Sequence, residues 1–98
     1  MRCYVRVREV IWLPEIEDKL WEKHRLTVAE TEEMLFSEPH IRFVEKGHRH
    51  DEDLYAAYEQ TEAGRYIIVF FVLKRGRQAL VISARDMDGK ERKTYGRR

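Results

Sequence analysis

The residues of this sequence that could act chemically on a substrate are two arginines, two histidines and a tyrosine. Arg85 and Arg92 could hold a phosphate through paired hydrogen bonds, because a guanidinium group presents its donors in a planar fork. His24 and His50 could transfer protons, since imidazole exchanges protons near neutral pH. Tyr95 could donate a proton or stack on a base. Together these side chains could activate a hydroxyl, protonate a leaving group and stabilise charge on a phosphate.

Each of these residues also has a structural interpretation. Arg85 could form an ordered ion pair with Glu91 or Asp88. Arg92 lies four residues after Asp88, a helical spacing that also forms ordinary surface salt bridges. Tyr95 could pack on a sheet, and histidines on short helices and loops are usually inert. Both interpretations stay open at the level of the sequence.

Charge is distributed unevenly along the chain, although the net charge is only +1. Residues 74–98 carry nine Lys/Arg against three Asp/Glu, a net +6, whereas residues 9–38 carry three against nine, a net −6. The basic segment could attract phosphates, and the acidic one could repel nucleic acid or bind a basic partner; two ordinary solvated faces are the alternative. The cations that could guide a nucleic-acid backbone are Lys23, Arg49, Arg65, Arg77 and Lys90.

Neither a metal nor another cofactor is expected. His48-Arg49-His50-Asp51 contains possible zinc ligands, but the sequence has no further histidine or cysteine at ligand spacing, and Cys3 is its only cysteine. A single cysteine cannot form an internal disulfide, which agrees with a reducing compartment. The longest apolar run, Tyr66 to Leu73, is far shorter than the roughly 20 residues of a membrane-spanning helix. We therefore expect a cytoplasmic protein with one domain over residues 1–98.

The spacing of apolar residues predicts an α+β domain with the order β-α-α-β-β-β-β-α. The first strand is predicted over residues 3–8, with continuation to Trp12 as the alternative, and with a bulge or break where the apolar parity shifts between Val7 and Val10. Helices are predicted from Pro14 to about His24 and from a capping box at Thr27 to Ser37. The later strands include 66–73, which is apolar on both parities, and 79–85 after a turn at Gly76.

A last helix is predicted after Asp88, with Glu91 completing a capping box, and it carries Lys90, Arg92 and Tyr95. We expect one antiparallel sheet with its helices on one face.

The C-terminal string resembles a known family signature. Ile82-Ser83-Ala84-Arg85, followed by Met87, Glu91-Arg92 and Tyr95, is similar to the end of BrnT proteins, where a strand ending in Ser-Ala-Arg leads into a helix with Glu-Arg and Tyr. The resemblance covers residues 10 to 95. Its other parts are Trp12, Lys23-His24, Arg49-His50 and Gly64-Arg65.

This resemblance implies a fold similar to the RelE-like ribonuclease toxins and metal-independent cleavage of RNA. It also implies a small BrnA-like antitoxin with a ribbon-helix-helix part, which contacts operator DNA for the pair. The sequence departs from the family pattern at Leu13-Pro14, Leu54 and Glu59, where an acidic residue, an arginine and a glycine are usual. The alternative is therefore a non-catalytic module of the same fold that retains antitoxin or nucleic-acid binding.

Overall fold

The predicted element order is found in the computed structural model, which describes residues 6–47 and 52–96. A short 3-10 turn (Arg75–Arg77) joins the last two strands. The α+β class and the order of elements are confirmed. The elements are β1 (Glu9–Ile11), α1 (Pro14–His24), α2 (Val28–Phe36), β2 (His40–Glu45), β3 (Leu54–Gln60), β4 (Tyr66–Lys74), β5 (Gln78–Asp86) and α3 (Gly89–Gly96).

Strand β1 begins later than predicted. The sequence pattern placed it at residues 3–8, of which 3–5 lie outside the described residues, whereas the observed strand is Glu9–Ile11. Val7 is buried just before it, and the Arg8 amide donates a hydrogen bond to the Arg77 carbonyl at 2.9 Å. The apolar residues change from odd to even positions between Val7 and Val10, and this change marks the point where the chain joins the sheet.

The five strands form one mixed sheet in the order β1-β5-β4-β3-β2. Strands β2 to β5 pair antiparallel, as predicted, but β1 pairs with β5 in parallel. The prediction of a fully antiparallel sheet is therefore wrong for β1. Period-2 alternation shows which side chains share a face, but it carries no information about the direction of a neighbouring strand.

The helices lie on both faces of this sheet. One face, here the α1–α2 face, packs α1 and α2 on a core that includes Val69 and Phe71. The opposite face, the α3 face, packs Met87 and Tyr95 on Ile68 and its neighbours. The prediction that all helices share one face is therefore wrong for α3. The reason for the position of α3 lies in β4. The residues of β4 are apolar on both faces of the sheet, so both faces need a covering layer.

In the described part of the chain, no helix is long and apolar enough to cross a membrane.

Candidate functional site

Arg85 lies near the end of β5 and points to the α3 face. A register shift between Phe70 and Phe71 inserts Ile82 as an extra residue, and beyond it Arg85 is paired with Ile68. The guanidinium lies 5.5 Å from the ring centroid of Phe70. Its two terminal nitrogens donate to the two oxygens of Glu91, Nη1 to Oε1 at 2.6 Å and Nη2 to Oε2 at 2.7 Å. The structural interpretation of Arg85 as an ordered ion pair is thus correct, and the guanidinium is held in one orientation.

Glu91 also caps α3. Its Oε1 accepts from the Asp88 amide at 2.9 Å, while the Asp88 carboxylate accepts from the Glu91 amide at 2.8 Å. This is the predicted capping box. The hydrogen bonds from Arg85 lower the pKa of Glu91 against the opposing effect of its burial. The same hydrogen bonds raise the pKa of Arg85. One carboxylate therefore orients Arg85 and closes the first turn of α3.

Arg92 is an exposed cation of this face. Its guanidinium carbon lies 4.2 Å from the ring centroid of Tyr66, a cation–π distance. Within the described ranges no carboxylate lies in ion-pair distance of it, so the salt bridge to Asp88 that the spacing allowed is not formed. A guanidinium lying over a ring keeps its N–H donors available in its own plane. Lys90 is exposed two residues earlier on the same helix.

Tyr95 holds α3 on the sheet. Its side chain is buried, its hydroxyl donates to Glu59 Oε1 at 2.7 Å, and it accepts from the Gln60 amide at 3.3 Å. Its ring meets Tyr66 edge-on, with 6.0 Å between centroids. The hydroxyl that could have donated a proton to a substrate is thus engaged inside the molecule. Packing on the sheet, the structural interpretation of Tyr95, is correct.

Arg65 connects the corner between the two helices to the sheet. Its Nη2 donates to the His24 carbonyl at 2.8 Å and to Asp86 at 3.2 Å, and its Nη1 donates to the Arg25 carbonyl at 3.0 Å. Carbonyl groups at a helix C-terminus lack partners within the helix, so these bonds satisfy them. His24 therefore lies beside Arg65, at the same end of the sheet as Arg85.

The structure brings some predicted residues together and separates others. The α3 face carries Lys90, Arg92, Arg85 and Tyr95. The α1–α2 side of the same sheet end carries Lys23, His24 and Arg65. Arg77 lies in the turn at the opposite end of β5, roughly 25 Å from Arg85 at about 3.3 Å per residue. Arg49 and His50 lie outside the described residues, as does the possible zinc sequence 48–51.

Sequence reasoning missed the neighbours of Arg85 across the sheet. One row across strands β2 to β5 consists of His40, Tyr58, Ile68 and Arg85, each paired with the next. The ring centroids of His40 and Tyr58 are 5.8 Å apart. Tyr58 lies close enough to contribute to the raised pKa of Arg85. Period-2 alternation gave the face of each residue, but only the strand register places them in one row.

A cleft between α2 and the β3–β4 turn has a volume of about 210 Å³. Its lining includes Glu30, Glu33, Glu59 and Glu62. Four carboxylates would repel a phosphate, so this cleft does not suit an RNA backbone. Among the described residues no group of histidine, cysteine and carboxylate side chains could hold a metal ion.

A comparison with known protein families identifies the family of this chain. Residues 12–91 match the family described as "Ribonuclease toxin, BrnT, of type II toxin-antitoxin system". No individual curated protein matches the chain. The matched span includes Arg85 and ends at Glu91, so Arg92 and Tyr95 follow directly after it.

Proposed function

Because the chain belongs to the BrnT family of ribonuclease toxins of type II toxin–antitoxin systems, we propose that its α3 face cleaves RNA without a metal. RNA as target and an antitoxin as partner come with the family. The observation that supports this face is the pairing of an anchored and an exposed guanidinium. Arg85 is fixed by Glu91 above Phe70, and Arg92 lies exposed above Tyr66.

The proposed reaction is an internal transfer at phosphorus. The ribose 2′-oxygen loses its proton to a base and attacks the phosphorus, the bond from phosphorus to the 5′-oxygen breaks, and an acid protonates that oxygen. The products are a 2′,3′-cyclic phosphate and a 5′-hydroxyl. Arg85 and Arg92 stabilise the negative charge that builds up on the phosphate oxygens, which is the role that metal ions have in other nucleases.

The proton-transfer roles are proposed for His50 and for His24, which lies at the same end of the sheet as Arg85 but on its α1–α2 side. Tyr95 acts as a positioning residue, since its buried hydroxyl fixes α3 and thereby Arg92. Further cations guide the RNA backbone toward the site, and two of them, Lys23 and Lys90, are exposed at this end of the molecule. The proposed guides are Lys23, Arg49, Arg65, Arg77 and Lys90.

Induced expression of the chain in bacteria tests the proposal. We expect growth arrest with the wild type and none with Arg85→Ala, because that substitution removes a phosphate contact. Arg75→Ala is the matched control, since it removes an exposed cation at the other end of β5, and it should arrest growth like the wild type. Thermal unfolding of both purified variants checks that they fold. Normal growth with abundant, folded wild-type protein would contradict the proposal.

A second candidate function is that of a non-catalytic module that retains antitoxin or nucleic-acid binding. The bidentate Arg85–Glu91 pair favours it, because a phosphate would compete with a carboxylate already in place. This second function is also favoured by the departures from the family pattern at Leu13-Pro14, Leu54 and Glu59. Incubation of the purified protein with RNA separates the two functions, since only the toxin generates new 5′-hydroxyl ends.

The partner that we propose is a BrnA-like ribbon-helix-helix antitoxin, acting with this chain in the cytoplasm. Operator DNA would be contacted through the antitoxin alone, because the cations of the α3 face are assigned to RNA. The reading frame next to the gene tests this directly. A small neighbouring frame that encodes a ribbon-helix-helix protein supports the proposal, and an isolated gene argues for the binding module.

A further inference from the structure

An aliphatic row crosses the α3 face at a distance from α3. Ile11 lies opposite Leu80, Leu80 opposite Val72, and Val72 opposite Leu54, so the row spans β1, β5, β4 and β3. All four side chains are only half-buried. Helix α3 packs at the other end of these strands, on Ile68 and its neighbours. Within residues 6–47 and 52–96, no helix packs on the aliphatic row.

The space beside α3 fits one more helix. Val72 is four residues along β4 from Ile68, about 13 Å at 3.3 Å per residue. Helices that pack side by side have axes 8–10 Å apart. Helix α3 follows β5, and the Tyr95 hydroxyl near its end bonds Glu59 and Gln60 of β3, so α3 runs across the strands. A helix parallel to α3 would therefore rest on Phe70 and Val72, with the aliphatic row along its length.

The chemistry of this surface favours a protein over a nucleic acid. Leu and Val side chains bury apolar surface but offer no aromatic face on which a base could stack. The charge around the row favours an acidic occupant. Residues 74–96 carry seven Lys/Arg against three Asp/Glu, a net +4, and they supply the turn at one end of the strands and α3 at the other. Two carboxylates also lie near the row, Glu9 opposite Gln78 and Glu52 within 3.4 Å of Lys74. The exposed cations near it outnumber them: two arginines in the turn, and one beside Ala56 on β2, namely Arg75, Arg77 and Arg42. Residues 14–36, which contain both helices of the opposite face, carry seven Asp/Glu against three Lys/Arg, a net −4, and would repel the same partner.

We propose that the aliphatic row binds an acidic amphipathic helix of the antitoxin, alongside α3. This rests on the proposed function in that the partner is the antitoxin of this toxin. The bound helix would also cover the row Ser83–Phe70–Ala56, which lies directly before Arg85 on the strands. RNA would then lose access to Arg85 from that side, so docking and inhibition would share one surface.

The test measures affinity for the antitoxin encoded beside this gene, purified and titrated calorimetrically. We expect the double substitution Leu80→Thr/Val72→Thr to weaken binding at least tenfold, because it removes apolar surface while keeping strand-forming residues. Phe36→Ser is the matched control, since Phe36 is 48% exposed and lies on α2 of the opposite face, and it should stay within twofold of the wild type. If the double variant fails to fold, Arg42→Glu decides, because Arg42 is exposed beside Ala56 and its reversal should also weaken binding tenfold.

Cleavage assays separate this proposal from the proposed function. The free double variant should cleave RNA at the wild-type rate, but the antitoxin should no longer suppress it. If the wild type does not cleave RNA, the proposed function fails, while the calorimetric comparison still decides the docking surface. Equal affinity of the double variant and the wild type would overturn the proposal. It would also be overturned if the substitutions abolish self-association and leave antitoxin affinity unchanged, since a second copy would then occupy the row.

Discussion

Glu91 is the residue on which the geometry of the α3 face depends most. Its carboxylate accepts two hydrogen bonds from Arg85 and one from the Asp88 amide. The ion pair is only partly buried, with 36% of the Arg85 side chain and 17% of the Glu91 side chain exposed, so solvent weakens it. Its role is therefore mainly to fix the orientation of Arg85.

Glu91→Gln should lower the free energy of unfolding by about 1 kcal/mol at pH 7, because the charged partner of Arg85 is lost while a capping oxygen remains. The folded-state pKa of Glu91 is lowered, so its stabilisation is complete above the ordinary carboxyl pKa of 4.5 and is lost as pH falls through the folded value. Urea unfolding at pH 7 and at pH 3 should show a smaller difference between variant and wild type at pH 3. An equal or larger difference at pH 3 would contradict the ion pair.

Tyr95→Phe tests whether Tyr95 positions or reacts. Loss of the hydroxyl removes a hydrogen bond to a carboxylate, and we expect the free energy of unfolding to fall by about 1–2 kcal/mol. Cleavage by the folded variant should keep the pH dependence of the wild type. A change in the pH–rate profile would instead assign proton transfer to Tyr95.

At the scale of elements, local signals were predictable from the sequence and non-local ones were not. Both capping boxes, at Thr27 with Glu30 and at Asp88 with Glu91, form as the spacing predicts, because a cap involves residues only three apart. The turn at Gly76 adopts the positive φ of 72° that glycine allows. The parallel pairing of β1 and the placement of α3 depend on contacts across the sheet, which residue periodicity does not encode.

The candidate site shows the same division. The residue types and the resemblance of the C-terminal string to the BrnT family predict a site at Arg85, Arg92 and Tyr95, and these residues do share one face. The contacts that assign their roles were beyond the sequence: the register that brings Tyr58 near Arg85, and the hydrogen bond between Tyr95 and Glu59. A residue type shows what chemistry is available, whereas its partners determine which chemistry remains free.

Asp88→Ala should loosen α3 without disturbing the rest of the sheet. Removal of an N-cap carboxylate costs about 1 kcal/mol, and α3 has only eight residues to absorb that loss. Hydrogen exchange should show faster exchange in α3 and unchanged exchange in β3 and β4. Asp88→Asn is the matched control, because asparagine also caps helices, and it should exchange like the wild type. Uniform acceleration in all elements would show that α3 does not open independently.

At the scale of the whole molecule, charge separates the two faces. The segment that contains α1 and α2 carries −6, and the segment from β5 to the C-terminus is basic. A polyanion is therefore repelled from one side of the sheet and attracted to the other. We expect this polarity to orient RNA toward Arg92 before any specific contact forms.

RNA binding should weaken with salt, because phosphate contacts release counterions. For a single strand, a plot of log affinity against log salt has a slope of about −0.7 for each phosphate that the protein neutralises. Arg92→Ala should make this slope less steep by about 0.7, because one phosphate contact is lost. Glu33→Gln, on the acidic opposite side, should leave the slope unchanged. Fluorescence anisotropy with a labelled single strand measures both. Equal slopes for Arg92→Ala and the wild type would place the phosphate elsewhere.

Metal-independent cleavage of RNA at the α3 face, with its guanidinium groups stabilising the charge on the phosphate, is what we propose. Its most direct test is the initial cleavage rate of the wild type, Arg92→Ala and Arg75→Ala on one RNA in excess EDTA. We expect wild-type and Arg75→Ala rates to be equal and the Arg92→Ala rate to be at least a hundredfold lower, with cyclic phosphate ends on the products. Loss of wild-type cleavage in EDTA, or an Arg92→Ala rate equal to that of the wild type, would contradict the claim.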